Sequence, residues 1–281
     1  MEKVIMGTRL PAKLWLNEVE DSCMSQIMDL TSLPFAFKHI AIMPDAHAGK
    51  GMPIGGVLAT KGVIVPNAVG VDIGCGMCAI KTNRKAEDFS YTDLTSIMSK
   101  IRAAIPLGFD HHTKKQDQEL LPQGFDLEEM PILKNQYEAC LKQIGTLGGG
   151  NHFIEVDRAK DGTYYLVIHS GSRNLGKQVA EIYQQLAIDL HTGKEEYFKK
   201  RDEIIRTYKE QGRRAEIQET LKQLKQDYET QDLDAPDDIC WLYGSFMDDY
   251  LHDVEICQRF ARRSRERMAE IIIERTKLTA V

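Results

Sequence analysis

The chain has 281 residues, 42% of them hydrophobic and 28% charged, with a formal net charge of −6. That length can bury one large core or two modest ones, and the acidic balance excludes a protein that grips nucleic acid through overall basicity, leaving only a local basic groove. The opening residues Met1-Glu2-Lys3-Val4-Ile5-Met6 hold no apolar signal core and no segment is long enough to span a bilayer, so a cytoplasmic protein with no membrane partner is expected.

Six cysteines (Cys23, Cys75, Cys78, Cys140, Cys240, Cys257) are scattered along the chain, a pattern of reduced thiols or ligands rather than a disulfide framework. In chain order, Lys38 to Met43 reads as a strand, Pro44 to Gly51 as a turn-rich loop, and Gly55 to Val65 as a hairpin broken at Lys61-Gly62. A helix is predicted over Tyr91 to Ala104, irregular chain over 106–125 with His111-His112 beside a charged run, and a second helix over Met130 to Ile144. The glycine loop Gly145 to Gly150 leads into a hairpin of Asn151 to Val156 and Thr163 to His169, turning at Asp161-Gly162. Lys177 to Leu190 is an amphipathic helix. Residues 190–235 read as a charged helical excursion of balanced sign, broken over Asp232 to Asp238 before a last helix containing Cys257 to Ile273. The class is α+β, with a mixed β-sheet core and flanking helices.

Chemistry concentrates in Gly70-Val71-Asp72-Ile73-Gly74-Cys75-Gly76-Met77-Cys78. Glycines there allow left-handed turns that fold Asp72 and Cys75 toward one point. A hard oxygen beside a soft sulfur suits a divalent transition metal better than Mg²⁺ or Ca²⁺; a tight turn with a buried cysteine is the other reading. Cys75 and Cys78 also form a CxxC, but no second ligand pair and no thioredoxin-like context accompany it. A two-residue turn would set Ile154 opposite His169, with His152 further along the same face; a two-residue change in loop length would set His152 itself opposite His169. Both registers bring two imidazoles to one end of a ribbon, and the combined donors suit Zn²⁺, Mn²⁺ or Fe²⁺ alike.

Anion binding is the second theme. Ser170, Gly171, Ser172 and Arg173 follow a strand and precede a helix, so backbone N–H groups, two hydroxyls and a guanidinium form a phosphate cradle, with helix capping by Ser172 or Asn174 as the alternative. Gly145 to Gly150 lacks the Lys-Ser/Thr of a Walker loop and instead admits close backbone approach. Asp45, His47 and Lys50 add an acid, an imidazole and a cation in a turn, where Lys50 is a candidate phosphate contact.

Four stretches in this order resemble the RtcB family of RNA-splicing ligases: Met43 to Gly51, Val69 to Met77, Gly145 to Glu155, and His169 to Arg173. The resemblance implies that Asp72, Cys75, His152 and His169 bind metal, with the Cys75 thiolate bridging two Mn²⁺ ions. It further implies that Asn151, His152, Phe153, Ile154 and Glu155 line a GTP site, and that Arg173, with Ser170, Ser172 and Lys50, meets phosphate or RNA. The implied reaction uses GTP to guanylylate a histidine, passes GMP to an RNA 3′-phosphate, and lets a 5′-hydroxyl displace it, after any 2′,3′-cyclic phosphate has been opened. The implied architecture is a single catalytic domain with a monomer as the favoured state, in tRNA splicing or RNA repair. The family's later His-Asn and His-Gly-Ala-Gly motifs, the second carrying the guanylylated histidine, are absent from these 281 residues, and Ser264 stands where the family usually has Asn. The chain is therefore expected to lack the family's C-terminal third. A non-catalytic metal-dependent RNA-end binder and a metal-dependent cyclic phosphodiesterase are the competing functions.

Overall fold

A computed structural model describes residues 2–122, 125, 131–192, 194–213, 216–228, 236–276 and 278. The chain divides into two compact units, the first formed by Met1–Gly70 and Ala180–Asp249, the second by Val71–Val179 and Tyr250–Val281.

In the first unit, β1 (Lys3–Met6), β2 (Pro11–Leu14), β3 (Ala36–His47) and β4 (Ile54–Thr60) form a four-stranded sheet in that order. The parallel β2–β3 pair needs a crossover, and α1 (Asp21–Ser32) supplies it. Its buried face of Cys23, Ile27 and Leu30 packs with Leu14, Ile40 and Ile42 of the sheet into one apolar core. Each fully buried aliphatic there contributes about 1.5–3 kcal/mol.

Strand β3 runs through Pro44-Asp45-Ala46-His47, where sequence suggested a loop. It does so because its pairing with β4 shifts register between Ile42 and His47, which spares Pro44 the ladder bond it cannot donate. The expected hairpin of Gly55 to Val65 turns at Gly62 as predicted, but its second arm, β5 (Val63–Ile64), pairs with β9 (Leu242–Tyr243) rather than with β4. A short α2 (Pro66–Val69) follows.

The second unit holds an antiparallel sheet in the order β6 (Gly76–Lys85), β8 (Thr163–Ser170), β7 (Phe153–Arg158). Around it lie α3 (Tyr91–Ala104), which matches the predicted bounds, and α4 (Pro131–Gln143). Ser90 and Asp93 form a reciprocal capping box that sets the start of α3. Helix α5 (Arg173–His191) starts four residues before the expected Lys177. In the charged stretch, α6 (Lys194–Glu210) and α7 (Ile217–Tyr228) pack on each other in the first unit; residues 229–235, which include part of the expected break, lie outside the described residues. The last helix, α8 (Gly244–Thr276), is longer than predicted, and the unit divisions fall inside α5 and α8. Met268, Ile271 and Ile272 of α8 pack with Ile105, Leu166 and Ile168 into the second core.

The β7–β8 register corrects the sequence reading by one residue: Phe153, not Ile154 or His152, faces His169. The cause is the turn. Ala159 N donates to Thr163 O, leaving Lys160, Asp161 and Gly162 as a three-residue loop with Gly162 at φ +83° and Asp161 Oδ1 accepting from Thr163 N. His152 therefore precedes the strand and approaches His169 from a turn. Substituting Gly162→Ala meets no neighbouring atom, so it isolates the left-handed backbone cost. A loss of about 1–2 kcal/mol is expected from the urea midpoint, with Gly162→Asn losing less.

Candidate metal centre and adjoining cleft

Three donors converge in the second unit. One ligand atom each from Asp72, Cys75 and His152 lies within 4.8 Å of the others. His152 Nε2 is 2.9 Å from Asp72 Oδ2, and Cys75 Sγ is 2.9 Å from His169 Nε2, so the fourth predicted donor adjoins the group through the sulfur. Metal–ligand bonds of about 2.0–2.3 Å place such donors within reach of one cation. The donor set fits a metal in a further respect. His169 Nδ1 is 3.2 Å from the Asn151 carbonyl, a bond that fixes the proton on Nδ1 and leaves the Nε2 lone pair facing the site.

Each donor is placed by backbone geometry. Cys75 N donates to Asp72 O, closing the loop that brings the two together. The Asp72 carboxylate rests directly over Gly171, where any Cβ would overlap it. Ser172 Oγ donates to the Ile73 carbonyl and Ser170 Oγ to the Leu147 carbonyl, the latter at 2.8 Å. Both hydroxyls are buried and donate to backbone oxygens, so the Ser-Gly-Ser sequence fastens loops. The reason is that Ser170 ends the central strand and points inward, and Ser172 lies under the Asp72 loop.

Burial, reinforced by the neighbouring Asp72 carboxylate, pushes the Cys75 thiol up to about 11, and the Arg265 guanidinium opposes the rise. The sulfur keeps its proton at neutral pH until a cation among the donors displaces it. His152 is nearly enclosed, with 7% of its side chain exposed, and its Nδ1 has no hydrogen-bond partner among the described residues.

Beside the donors opens a cleft of about 660 Å³ whose walls include Asp72, Asn151, His152, Arg173 and Lys177. Arg173 is anchored through Nε to Thr146 Oγ1 (3.0 Å) and through Nη2 to the Gly108 carbonyl (2.8 Å). Burial pulls its guanidinium below the ordinary range, and Asp72 works against that shift. Gly148, at φ +93°, is required because a Cβ would overlap Arg173 Nη1 and press on His152 Nδ1.

A family model described as "tRNA-splicing ligase RtcB" matches residues 26–280. The chain belongs to the RtcB family. It is similar to "RNA-splicing ligase RtcB" of Escherichia coli (strain K12), 34% identical over 280 residues that cover 94% of this chain and 60% of that protein. It is also similar to "tRNA-splicing ligase RtcB" of Methanococcus maripaludis, 31% identical, with 62% of this chain and 47% of that protein covered. With the protein of the same name from Thermococcus kodakarensis it shares 28% identity, over 63% of this chain and 48% of that one. The chain thus spans about half to three-fifths of the length of these curated relatives.

Of the residues that the family resemblance assigns to a nucleotide, Asn151 and His152 line the cleft. The other three do not. The Phe153 ring packs edge-on against His169 at 5.2 Å, Ile154 turns into the core with Ile168, and Glu155 is exposed opposite Val167. The strand's alternation sends Ile154 to the face opposite Phe153 and Glu155. Lys50, like His47, belongs to the first unit.

Sequence reasoning missed two supports from α8. Ser264 Oγ accepts from Gly145 N at 3.0 Å, holding the start of the glycine loop. Arg265 Nη1 donates to both the Gly74 and Ser170 carbonyls. A further tie is His112, whose Nε2 is 3.2 Å from the Gly145 carbonyl. Only the run Ala261-Arg262-Arg263-Ser264-Arg265 signalled α8's role: its spacing puts Ala261, Ser264 and Met268 on one buried helix face.

Three outcomes follow. Ser264→Ala leaves the buried Gly145 N–H without an acceptor and should cost about 1–3 kcal/mol in thermal or urea unfolding. In a Co²⁺ titration, Cys75→Ser should abolish the thiolate charge-transfer absorbance. Gly171→Ala, by displacing Asp72, should weaken Co²⁺ binding by about 10- to 100-fold, the range seen when a ligand's support is lost.

Proposed function

We propose that this chain is the metal- and nucleotide-binding part of an RNA ligase that uses GTP and Mn²⁺. The ligase would join RNA 3′-phosphate or 2′,3′-cyclic phosphate ends to 5′-hydroxyl ends, in tRNA splicing or RNA repair. The observation that carries the reading is the gathering of Asp72, Cys75 and His152 at a cationic cleft, in a family whose curated relatives are named RNA-splicing ligases.

Asp72, Cys75, His152 and His169 would hold the metal. A divalent cation there supplies neutralisation of phosphate charge during in-line displacement. The remaining work belongs to the chain. Arg173, clamped by Thr146 and Gly108, presents a fixed positive charge at the cleft wall, and a guanidinium so held loses little entropy on meeting phosphate. Lys177 and Asn151 line the same space and would orient phosphate oxygens and sugar. Asn151 does double duty, since its carbonyl also sets the His169 tautomer.

The test compares this chain with a version extended through the His-Asn and His-Gly-Ala-Gly motifs, each incubated with α-labelled GTP, Mn²⁺ and RNA bearing 3′-phosphate and 5′-hydroxyl ends. Covalent label and joined RNA are expected from the extended protein and from neither Asp72→Asn nor Cys75→Ser, while the shorter chain binds metal without labelling. Absence of label and of joining in both proteins would overturn the ligase reading. Release of a 3′-phosphate from a cyclic end without GTP would replace it with a cyclic phosphodiesterase. Metal-dependent binding of RNA ends with no reaction would replace it with a non-catalytic binder.

A further inference from the structure

The cleft beside Asp72 has two kinds of wall. Asn151, Arg173 and Lys177 make one side polar and cationic, while Val71 and Phe109 are apolar residues of the same lining. Phe109 is 100% exposed and Val71 is exposed as well. Isolated exposed apolar side chains are ordinary, but the backbone that carries Phe109 is held by the site's own loops. Gly108 N donates to Gly148 O at 2.7 Å, Leu147 N donates to Pro106 O at 2.9 Å, and Asp110 N donates to Leu107 O at 3.1 Å. Arg173 Nη2 adds a bond to Gly108 O. The backbone on both sides of Phe109 is therefore bonded, and the glycine loop bonded to it leads directly into Asn151 and His152. The fold holds a fully bare ring at the mouth of a cleft that also carries cations and metal donors.

A ligand matching both walls needs a flat apolar face and an anionic end, which is the chemistry of a nucleobase joined to a phosphate. We infer that Phe109 is a stacking platform for an unpaired nucleobase whose phosphate is directed toward Arg173 and Lys177. The inference rests on the cleft's reading as the place where nucleotide and RNA-end chemistry occurs, and it adds how a strand end is gripped. Every base offers a π face, so stacking holds an end without selecting its sequence. The base has two possible sources: the terminal nucleotide of an RNA strand, and GTP.

The experiment measures binding to the 281-residue chain in Mn²⁺ by fluorescence anisotropy and calorimetry. The probes are a short single-stranded RNA ending in a 3′-phosphate, the same RNA with an abasic terminal nucleotide, GTP, and ribose 5-triphosphate. Phe109→Ala should weaken binding of the intact RNA by about tenfold or more, as loss of one stacked base predicts, and leave the abasic RNA unchanged. Phe109→Trp should restore the difference. If the base belongs to GTP, the same selective loss appears between GTP and ribose triphosphate instead. Equal affinity of wild type and Phe109→Ala for every probe, or an equal loss for base-bearing and base-free probes, overturns the stacking role while leaving the ligase reading intact. Failure of the wild-type chain to bind any of the four overturns both. Phe109 is fully solvent-exposed, so a folding defect in Phe109→Ala, visible in its melting curve, would itself contradict the surface placement on which the inference stands.

Discussion

The Arg265 guanidinium is the tie on which the candidate metal centre depends. It donates to the Gly74 carbonyl, in the loop that carries Asp72 and Cys75, and to the Ser170 carbonyl, one residue past His169. The two segments are far apart in sequence, and each ends in backbone oxygens that need a donor once they leave the sheet. Hydrogen bonds from a charged donor are worth about 1.5–3 kcal/mol each, roughly twice what a neutral donor would give. Burial lowers the guanidinium's pKa from its ordinary value, while the two nearby thiols, Cys78 and Cys75, act to raise it. The same residue thus sets where the donors sit and favours the charged sulfur that a metal requires.

Around that tie, glycine contributes space as well as turning freedom. Gly171 has no Cβ because the Asp72 carboxylate occupies that position, and Gly148 has none because Arg173 and His152 do. In both places a functional side chain lies on bare backbone, which brings polar groups closer than side-chain packing allows. Ser172 and Ser170 then secure the segments by donating to the Ile73 and Leu147 carbonyls. The dense glycine and serine spelling of these motifs is therefore a packing requirement of the donors.

How much of this could be read from sequence depends on whether the signal was local. The α3 helix was legible because periodicity and its start signal coincide at Ser90. The Asp161-Gly162 turn was legible too, yet the loop proved one residue longer than assumed, and a single residue moves every partner to the next pair. His152 reached the site anyway, because it lies before the strand and is free of the strand's alternation. Asp72, Cys75 and His152 were found by residue type and glycine context. The carbonyl partners of Ser170 and Ser172 were not legible because a hydroxyl's partner is a tertiary fact: Ser-Gly-Ser-Arg is spelled the same whether it faces phosphate or a buried carbonyl. Ser264 and Arg265 could not be placed for a similar reason, since their hydrogen-bond partners (Gly145 N, and the Gly74 and Ser170 carbonyls) lie roughly a hundred residues or more earlier in the chain.

The cleft combines a site fixed by such long-range ties with walls of opposite character. Arg173 is held by Thr146 and Gly108, and the segment before Phe109 is held by the same glycine loop. One clamp therefore holds a cation and the backbone that carries an aromatic residue. Because the clamp forms on folding, its ordering entropy is met before any ligand arrives, and a ligand gains from both walls without ordering them. That matters most for a strand end, which is itself disordered and loses freedom on binding. A rigid pair of contacts, one for charge and one for a flat face, offsets that loss while remaining indifferent to base identity. Metal donors alone would bind any phosphate; in the proposed role, the ring on the same cleft lining would distinguish a nucleotide from an inorganic anion.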